Sequence, residues 1–369
     1  MSDVTLVNVY FPAHRYGEIT FMPPLGCLYL VSALMEADIS VTFLDYQTHV
    51  PELDDPMDPE SLAVFVASSS PIVAFSCMFN LLPLVVLASK RIKEKDPDVK
   101  IILGGSGPSG VASLLLAYAP WIDAIVSGEG EKAIVSLIQY FHARKYWHDI
   151  PGVTARHGNS VICGPDREFL ATLDDLPLPA YSALEPIKYN QQVIQTTRGC
   201  GMNCAFCDIS SYWGSSLRNR PLRHVYKELE EEEELWPSYP LSVRDDTFTH
   251  NIKRLEPLLT MFSTRSAWGC FMRADHVTDK ICERLANAKC NSVFIGVESG
   301  SERILKMINK GETRNQIVQA IQTANQYFKR VSCNFMWGFP GEICEEFEET
   351  AKLIAYAHVS GAECQISLL

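Results

Sequence analysis

Short runs of β-branched and aromatic residues alternate with helix-length segments along almost the whole chain, in two successive series. In the first, residues 4–10 (VTLVNVY), 41–46 (VTFLDY), 72–77 (IVAFSC), 100–104 (KIILG) and 124–127 (AIVS) read as strands bounded by turn residues. Between them, residues 25–35, 82–95, 110–118 and 131–142 carry apolar side chains at helical spacing. A chain that alternates in this way builds a parallel sheet covered on both faces by its crossover helices. The five strands predict an α/β, doubly wound, flavodoxin- or Rossmann-like domain over residues 1–150, with ligands beyond the carboxyl ends of its strands.

The texture then changes. Pro151, Pro165, Pro177, Pro179 and Pro186 interrupt any long element, and residues 173–181 (LDDLPLPAY) read as extended chain. Residues 151–191 are therefore expected to be a linker. Alternation resumes over residues 192–369. Strands are expected at 193–197, 241–244, 267–272, 292–297, 331–337 and 363–368, with helices at 222–236, 252–262, 278–288, 314–328 and 345–357. Six β/α alternations predict a partial (β/α)6 barrel, whose functional groups gather at the carboxyl ends of the strands. The pattern stops on the sixth strand with no helix to cover it, so the C-terminus is expected to be truncated. The acidic run at 228–234 (ELEEEEE) is expected to be a solvated helix face.

The length of 369 residues, at ~150 residues per domain, agrees with two or three domains. Hydrophobic residues make up 47% and charged residues 21%, which excludes a disordered chain or a small disulfide scaffold. The formal net charge is −12 and neither half is basic, so nucleic acid is not an expected partner. No apolar run approaches the ~18 residues of a membrane span. The N-terminus lacks the basic and apolar regions of a signal peptide, so a cytoplasmic location is expected. In that reducing compartment the 12 cysteines are not expected to form disulfides.

Three of those cysteines stand out. Residues 197–207 read TRGCGMNCAFC, directly after the first strand of the second series, and place Cys200, Cys204 and Cys207 in a C-x3-C-x2-C pattern. A glycine-containing loop of this kind can wrap three thiolates around one metal centre. A closed zinc site needs four ligands, and no fourth Cys or His lies nearby, so zinc would require a remote donor. A [4Fe–4S] cluster held by three thiolates leaves one iron open.

This spacing, with the aromatic Phe206 before the third cysteine, resembles the radical S-adenosylmethionine (SAM) superfamily, and further matches follow in order along the barrel. The second strand runs into RDDTFT at 244–249, similar to the family segment whose carboxylate meets the SAM amino group. The superfamily more often has a Gly-Gly-Glu type sequence there, so either Asp245 or Asp246 is the candidate. The third strand carries Arg273, like an arginine of related enzymes. The fourth reads IGVESGS at 295–301, where Glu298, with Ser299 beside it, resembles the residue that bonds the SAM ribose. The fifth runs into WGFPGE at 337–342, so Gly338 and Pro340 resemble the family turn beside the adenine. Each match also has a plainer reading: Asp245, Asp246 or Ser299 as helix N-caps, and residues 338–341 as a simple turn.

In the first domain, residues 104–110 (GGSGPSG) contain a GxGxxG pattern, with Asp123 and Glu129 nearby as candidate ribose acids. The pattern follows the fourth strand, whereas the dinucleotide fingerprint belongs to the first βα turn. A broader succession fits better. Residues 23–26 (PPLG) lead into a helix, Asp45 ends the second strand, and Gly104, Gly105 and Ser106 follow the fourth. Gly128, Glu129, Gly130 and Glu131 follow the fifth. This resembles the cobalamin-binding domain found N-terminal to many radical SAM enzymes, and implies Leu25, Gly26 and these loops as cobalamin contacts. No Asp-x-His-x-x-Gly motif occurs, and His14, His49, His142 and His148 lack that setting, so no lower axial ligand is named.

The resemblance implies three cofactors: a [4Fe–4S] cluster, SAM and cobalamin. The leading expectation is a C-methyltransferase that cleaves SAM to generate a carbon radical and transfers a methyl group carried by cobalamin. The alternative is a radical SAM oxidative cyclase or rearrangement enzyme with the same cofactors. A third reading, from another class, is a non-catalytic iron–sulfur or nucleotide-binding protein. The implied partners are a small-molecule or peptide substrate and an electron donor such as flavodoxin or ferredoxin.

Overall fold

The computed structural model describes residues 2–15, 18–67, 70–143 and 147–369. They form two compact units, residues up to 171 together with 175–190, and residues 172–174 together with 191–369.

In the first unit the elements run β1 (Val4–Val9), β2 (Ala13–Arg15), β3 (Glu18–Thr20), α1 (Leu25–Glu36), β4 (Val41–Asp45), α2 (Pro59–Phe65), β5 (Ile72–Cys77) and α3 (Leu82–Lys95). They continue through β6 (Lys100–Gly104), α4 (Ser106–Ser109), α5 (Ala112–Tyr118), β7 (Ala124–Val126), α6 (Glu131–Ala143), β8 (Val153–His157) and β9 (Ser160–Cys163). The sheet order is β4-β1-β5-β6-β7-β8-β9, parallel as far as β7. Its five parallel strands thus follow the flavodoxin-like order. Every residue of β1 is buried because separate apolar cores cover the two faces, one including Val7, Phe75 and Leu103 and the other Leu6, Ala74 and Ile102. This is why the strands read as continuous apolar runs.

Two features depart from the sequence reading. Residues 153–163, expected to be linker, form an antiparallel hairpin (β8 with β9) that extends the sheet from β7. Its hydrogen bonds to β7 are long-range, and its burial pattern covers too few residues to register as a strand pair. Helix α2 also escaped the periodicity reading. At 7 residues it is too short for a pattern, and it is nucleated locally by Asp58, which accepts from the N–H groups of Glu60 and Ser61, with Pro59 at its first position.

The second unit contains β10 (Gln192–Ile194), β11 (Thr197–Arg198), α7 (Ile209–Trp213), β12 (Arg218–Asn219), α8 (Leu222–Leu235), β13 (Leu241–Val243), α9 (Ile252–Phe262) and β14 (Trp268–Arg273). Then follow α10 (Asp279–Asn287), β15 (Cys290–Glu298), α11 (Glu302–Met307), α12 (Arg314–Tyr327), β16 (Arg330–Trp337), α13 (Cys344–Val359) and β17 (Glu363–Leu368). Six strands lie parallel in sequence order, β10-β13-β14-β15-β16-β17, the partial barrel that the alternation predicts. Along β14 to β16 burial alternates: Trp268, Cys270, Val293, Ile295, Cys333 and Phe335 enter the core, while the intervening residues form the other face.

The acidic run is not simply solvated. Glu228 and Glu232, spaced i,i+4 on the inner face of α8, are both fully buried. Arg220 lies 2.6 Å from Glu228 Oε2, and Glu232 Oε1 accepts from the Val193 N–H at 2.8 Å. Burial is tolerated because each carboxylate meets a cation or a backbone donor. Among the described residues, no helix is long and apolar enough to cross a membrane.

Candidate functional site

The three-cysteine loop leaves the barrel after β10. It is entered through β11, paired antiparallel with β12, and the buried Arg198 guanidinium stacks 4.7 Å from the Trp213 ring. On its far side Ala205 N donates to Ile308 O at 2.8 Å, and Asn309 Nδ2 to Asn203 O at 2.9 Å. The loop is thereby tied to the turn after α11. Cys200, Cys204 and Cys207 are all partly exposed, whereas Cys27, Cys77, Cys270, Cys282, Cys290 and Cys333 are buried.

The same three cysteines line a cavity of about 320 Å³ together with Asp246, Arg273, Glu298 and Lys310. Its apolar wall comes from Met202, Phe206, Phe271 and Phe294. Phe206 also packs edge-on against Phe339, with ring centroids 6.1 Å apart. Residues from β14 and β15 reach the cavity through the face that does not enter the core, so barrel register gathers groups distant in sequence.

The two adjacent aspartates have different surroundings. Asp245 is fully buried and accepts from the backbone N–H groups of Thr196 and Thr197 and from the Thr196 hydroxyl. Burial pushes its carboxyl above the usual range, and those hydrogen bonds oppose the shift. It joins the ends of β10 and β13 and has its acceptor capacity engaged. Asp246 instead keeps a buried Oδ2 with no hydrogen-bond partner among the described residues. Burial first, then the charges of Asp245 and Asp208, raise its carboxyl to about 7, against a backbone hydrogen bond from Gly199. Neither aspartate caps α9, whose cap is Asn251.

Glu298 follows a register shift in the β15–β16 pairing and has φ 66°, rare for a non-glycine residue. The distortion turns its carboxylate into the cavity, where Lys310 Nζ and Asn334 Nδ2 each donate to it. Gly296 leaves the space for this pair, since a Cβ there would fall 2.7 Å from Glu298 Oε1. Ser299, Gly338 and Pro340 do not line the cavity. Ser299 Oγ accepts from Ser301 N at 3.1 Å, and Ser301 rather than Ser299 caps α11. Gly338 N donates to Glu342 Oε2 at 2.7 Å within an exposed turn. Sequence reasoning missed Lys310, Glu312 and Asn334. Only the charged pair flanking Gly311 hinted at the first two.

In the first unit, Gly104 ends β6, Gly105 and Ser106 follow it, and residues 128–131 follow β7, at the carboxyl ends of the parallel strands. Gly105 has φ 93°, and a Cβ there would lie 2.6 Å from Cys77 O, so the fold itself requires glycine. Gly26 sits in open space beside the buried Leu25, and a Cβ added to it would meet nothing within 4 Å. Glu129 accepts from Leu170 N at 2.6 Å, and Gly128 N lies 3.4 Å from Ser109 Oγ. His49 stacks on Phe65, His142 lies 3.7 Å from Asp3 and His148 3.9 Å from Asp149. The side chain of His14 lies outside the described residues.

Residues 194–354 match the Radical SAM superfamily, and residues 20–138 match the B12 binding domain. The chain belongs to the radical SAM enzymes that carry a cobalamin-binding domain, a class whose cofactors are a [4Fe–4S] cluster, SAM and cobalamin. It is 28% identical over 362 residues to the uncharacterized methyltransferase PH0819 of Pyrococcus horikoshii, covering 94% of this chain and 76% of that protein. It is also 28% identical over 280 residues to the anaerobic magnesium-protoporphyrin IX monomethyl ester cyclase of Rubrivivax gelatinosus. That match covers 71% of this chain and 50% of the cyclase, so the chain spans about half that relative's length. The solved structure of the radical SAM methyltransferase TsrM from Kitasatospora setae, with tryptophan and a SAM analogue bound, has a TM-score of 0.75 at 17% identity. The likeness covers 98% of this chain and 72% of that one, and is a likeness of fold.

The donor set suits the cluster. Among the described residues, no three His, Cys, Asp or Glu side chains converge closely enough to hold a single metal ion. Sulfurs around one zinc, at Zn–S of ~2.3 Å, stand about 3.8 Å apart, whereas a cubane spreads its three thiolates over separate corners. Three partly exposed thiols on one loop supply three separate thiolates for such a cluster, and the orphaned carboxylate oxygen beside them suits a ligand with a cationic group.

Proposed function

We propose that the chain is a cobalamin-dependent radical SAM C-methyltransferase that works in the reducing cytoplasm. The observation that carries this reading is the meeting, in one cavity, of the three-cysteine loop and the unpartnered Asp246 oxygen. The methyl-transfer outcome draws its support from the methyltransferase relative that aligns with 94% of the chain.

In this reading Cys200, Cys204 and Cys207 hold three irons of the cluster. When bound, the cluster supplies the electron that splits SAM, and cobalamin supplies the methyl carrier. Asp246 accepts hydrogen bonds from the SAM ammonium, a charge-assisted pairing at its buried Oδ2. Glu298, paired with Lys310, offers its carboxylate to the ribose hydroxyls. Phe206 and its apolar neighbours exclude water beside the adenine. Ser299, Gly338 and Pro340 act from behind the cavity wall by shaping the turns that follow β15 and β16. Leu25, Gly26 and the loops at 104–106 and 128–131 border the corrin. An electron donor such as flavodoxin or ferredoxin supplies the reducing equivalent, and the substrate is a small molecule or peptide.

A second reading, oxidative cyclisation, is favoured by the cyclase relative. Anaerobic reconstitution with SAM and hydroxocobalamin, followed by mass spectrometry, separates the two. Methylation consumes two SAM molecules, so 5′-deoxyadenosine and S-adenosylhomocysteine should form in about equal amounts as the substrate gains one methyl group. Turnover that yields deoxyadenosine without S-adenosylhomocysteine, while cobalamin stays bound, overturns methylation in favour of cyclisation.

A further inference from the structure

We propose that Arg273 tunes the iron–sulfur cluster, its guanidinium raising the potential at which the Cys204-ligated centre accepts an electron. The proposal rests on the radical SAM reading of the cysteine loop.

The geometry is specific. Arg273 ends β14, is 6% exposed, and turns Nη1 toward Cys204 Sγ at 4.0 Å. The rest of its fork is fixed elsewhere. Nε and Nη2 donate to the two oxygens of Asp275 at 3.0 and 3.1 Å, and Nη2 also donates to Lys310 O at 2.7 Å. Glu312 Oε1 lies 3.2 Å from Nη2. Gly311, at φ 73°, makes the turn that lets the Lys310 carbonyl and the Glu312 carboxylate face the same guanidinium. The bidentate edge, which would grip a ligand carboxylate, is occupied by Asp275. What is directed into the cavity is one N–H and a buried positive charge beside a thiolate position.

That placement has an electrical consequence. Reduction adds one negative charge to the cluster. A cation near a ligand sulfur, poorly screened by water, stabilises the reduced form more than the oxidised form. Hydrogen bonds to the sulfurs act in the same direction. Glu312 tempers the effect, because its carboxylate is shared between Arg273 and Lys310, whose Nζ is 3.9 Å from Oε2. Arg273 and Glu312 therefore pull the potential in opposite directions. A purely structural role for the pair predicts parallel changes, since either loss loosens the same loop.

The test is an EPR-monitored potentiometric titration of the reconstituted holoprotein at about pH 8, with iron quantified in every sample. Arg273→Gln should make the midpoint more negative by at least tenfold in the reduction equilibrium, about 59 mV for one electron. Glu312→Gln should make it less negative. Should Arg273→Gln fail to hold iron, Glu312→Gln and Asp275→Asn decide, and both must move the midpoint upward. A wild-type midpoint in fully loaded Arg273→Gln, or shifts of one sign in both Arg273→Gln and Glu312→Gln, overturns the tuning role. A wild-type protein that assembles no cluster overturns the radical SAM reading itself, so the two failures are distinguishable.

Discussion

Lys310 Nζ lies 3.0 Å from Glu298 Oε1, and both side chains are almost sealed from solvent, at 6% and 7% exposure. Asn334 Nδ2 donates to the other carboxylate oxygen at 3.2 Å, so Glu298 is locked before any ligand arrives. The residue that resembles a ribose contact is thus also half of a buried ion pair. Removing one partner strands the other charge, which costs about 3–5 kcal/mol.

Glu298→Ala should therefore lose both stability and SAM affinity. Glu298→Gln is the cleaner probe, because it keeps the shape and an acceptor oxygen for Lys310, which retains Glu312 at 3.9 Å as a counter-charge. It should weaken SAM binding by about 1.5–3 kcal/mol, roughly ten- to a hundredfold, with iron content unchanged. Equilibrium dialysis with labelled SAM reads the effect. An unaltered affinity would show that the carboxylate serves the fold alone.

Asp246 supplies a pH dependence with a definite sign. Its folded pKa, about 7, lies above the ordinary value of 3.8, so the neutral carboxyl is the form that folding favours. The stability it contributes is present below the ordinary value and lost as the pH rises through about 7. SAM binding should follow the reverse course and tighten between about pH 6 and about pH 8, as the carboxylate forms. Asp246→Asn should flatten that binding profile and raise the denaturation midpoint at about pH 8.

Cys200→Ala, Cys204→Ala and Cys207→Ala should each abolish the visible thiolate-to-iron absorbance and all SAM cleavage. Cys282→Ala and Cys333→Ala, at fully buried positions in the barrel core, should leave the absorbance intact and lower only stability. An intact cluster in the Cys204→Ala protein would overturn the ligand assignment.

Glycine substitutions test the cobalamin contacts only where the fold leaves room. Gly105→Val drives a side chain into the Cys77 backbone at a φ of 93°, so it should unfold the first unit and reports nothing about cobalamin. Gly26→Trp adds its ring in open space on α1 and should leave the melting temperature unchanged. It should also abolish retention of hydroxocobalamin on gel filtration. Full retention would remove this ledge from the cobalamin site.

The acidic helix gives a control pair. Glu228→Ala leaves Arg220 buried beside an absent partner and should cost about 3–5 kcal/mol in urea unfolding. Glu230→Ala, on the exposed side of α8, should stay within about 0.5 kcal/mol of wild type.

Local sequence carried the parts of this protein that depend on neighbouring residues. The alternation of β-branched runs with helical periods set the succession of strands and helices in both units, because the period of each element is a local property. The spacing of Cys200, Cys204 and Cys207 likewise placed three thiols on one loop at a strand's end. The adjacent aspartates show where such reasoning stops. Asp245 and Asp246 are interchangeable as letters, yet one meets the backbone N–H groups of Thr196 and Thr197 while the other keeps an orphaned oxygen. Which is which depends on how β10 and β13 pair, a register set by packing across about fifty residues of intervening chain. The buried Glu228 and Glu232, the β8–β9 hairpin and the Arg273–Glu312–Lys310 network follow the same rule. Burial and charge pairing are properties of the groups that meet in space, and only the tertiary fold determines which groups those are.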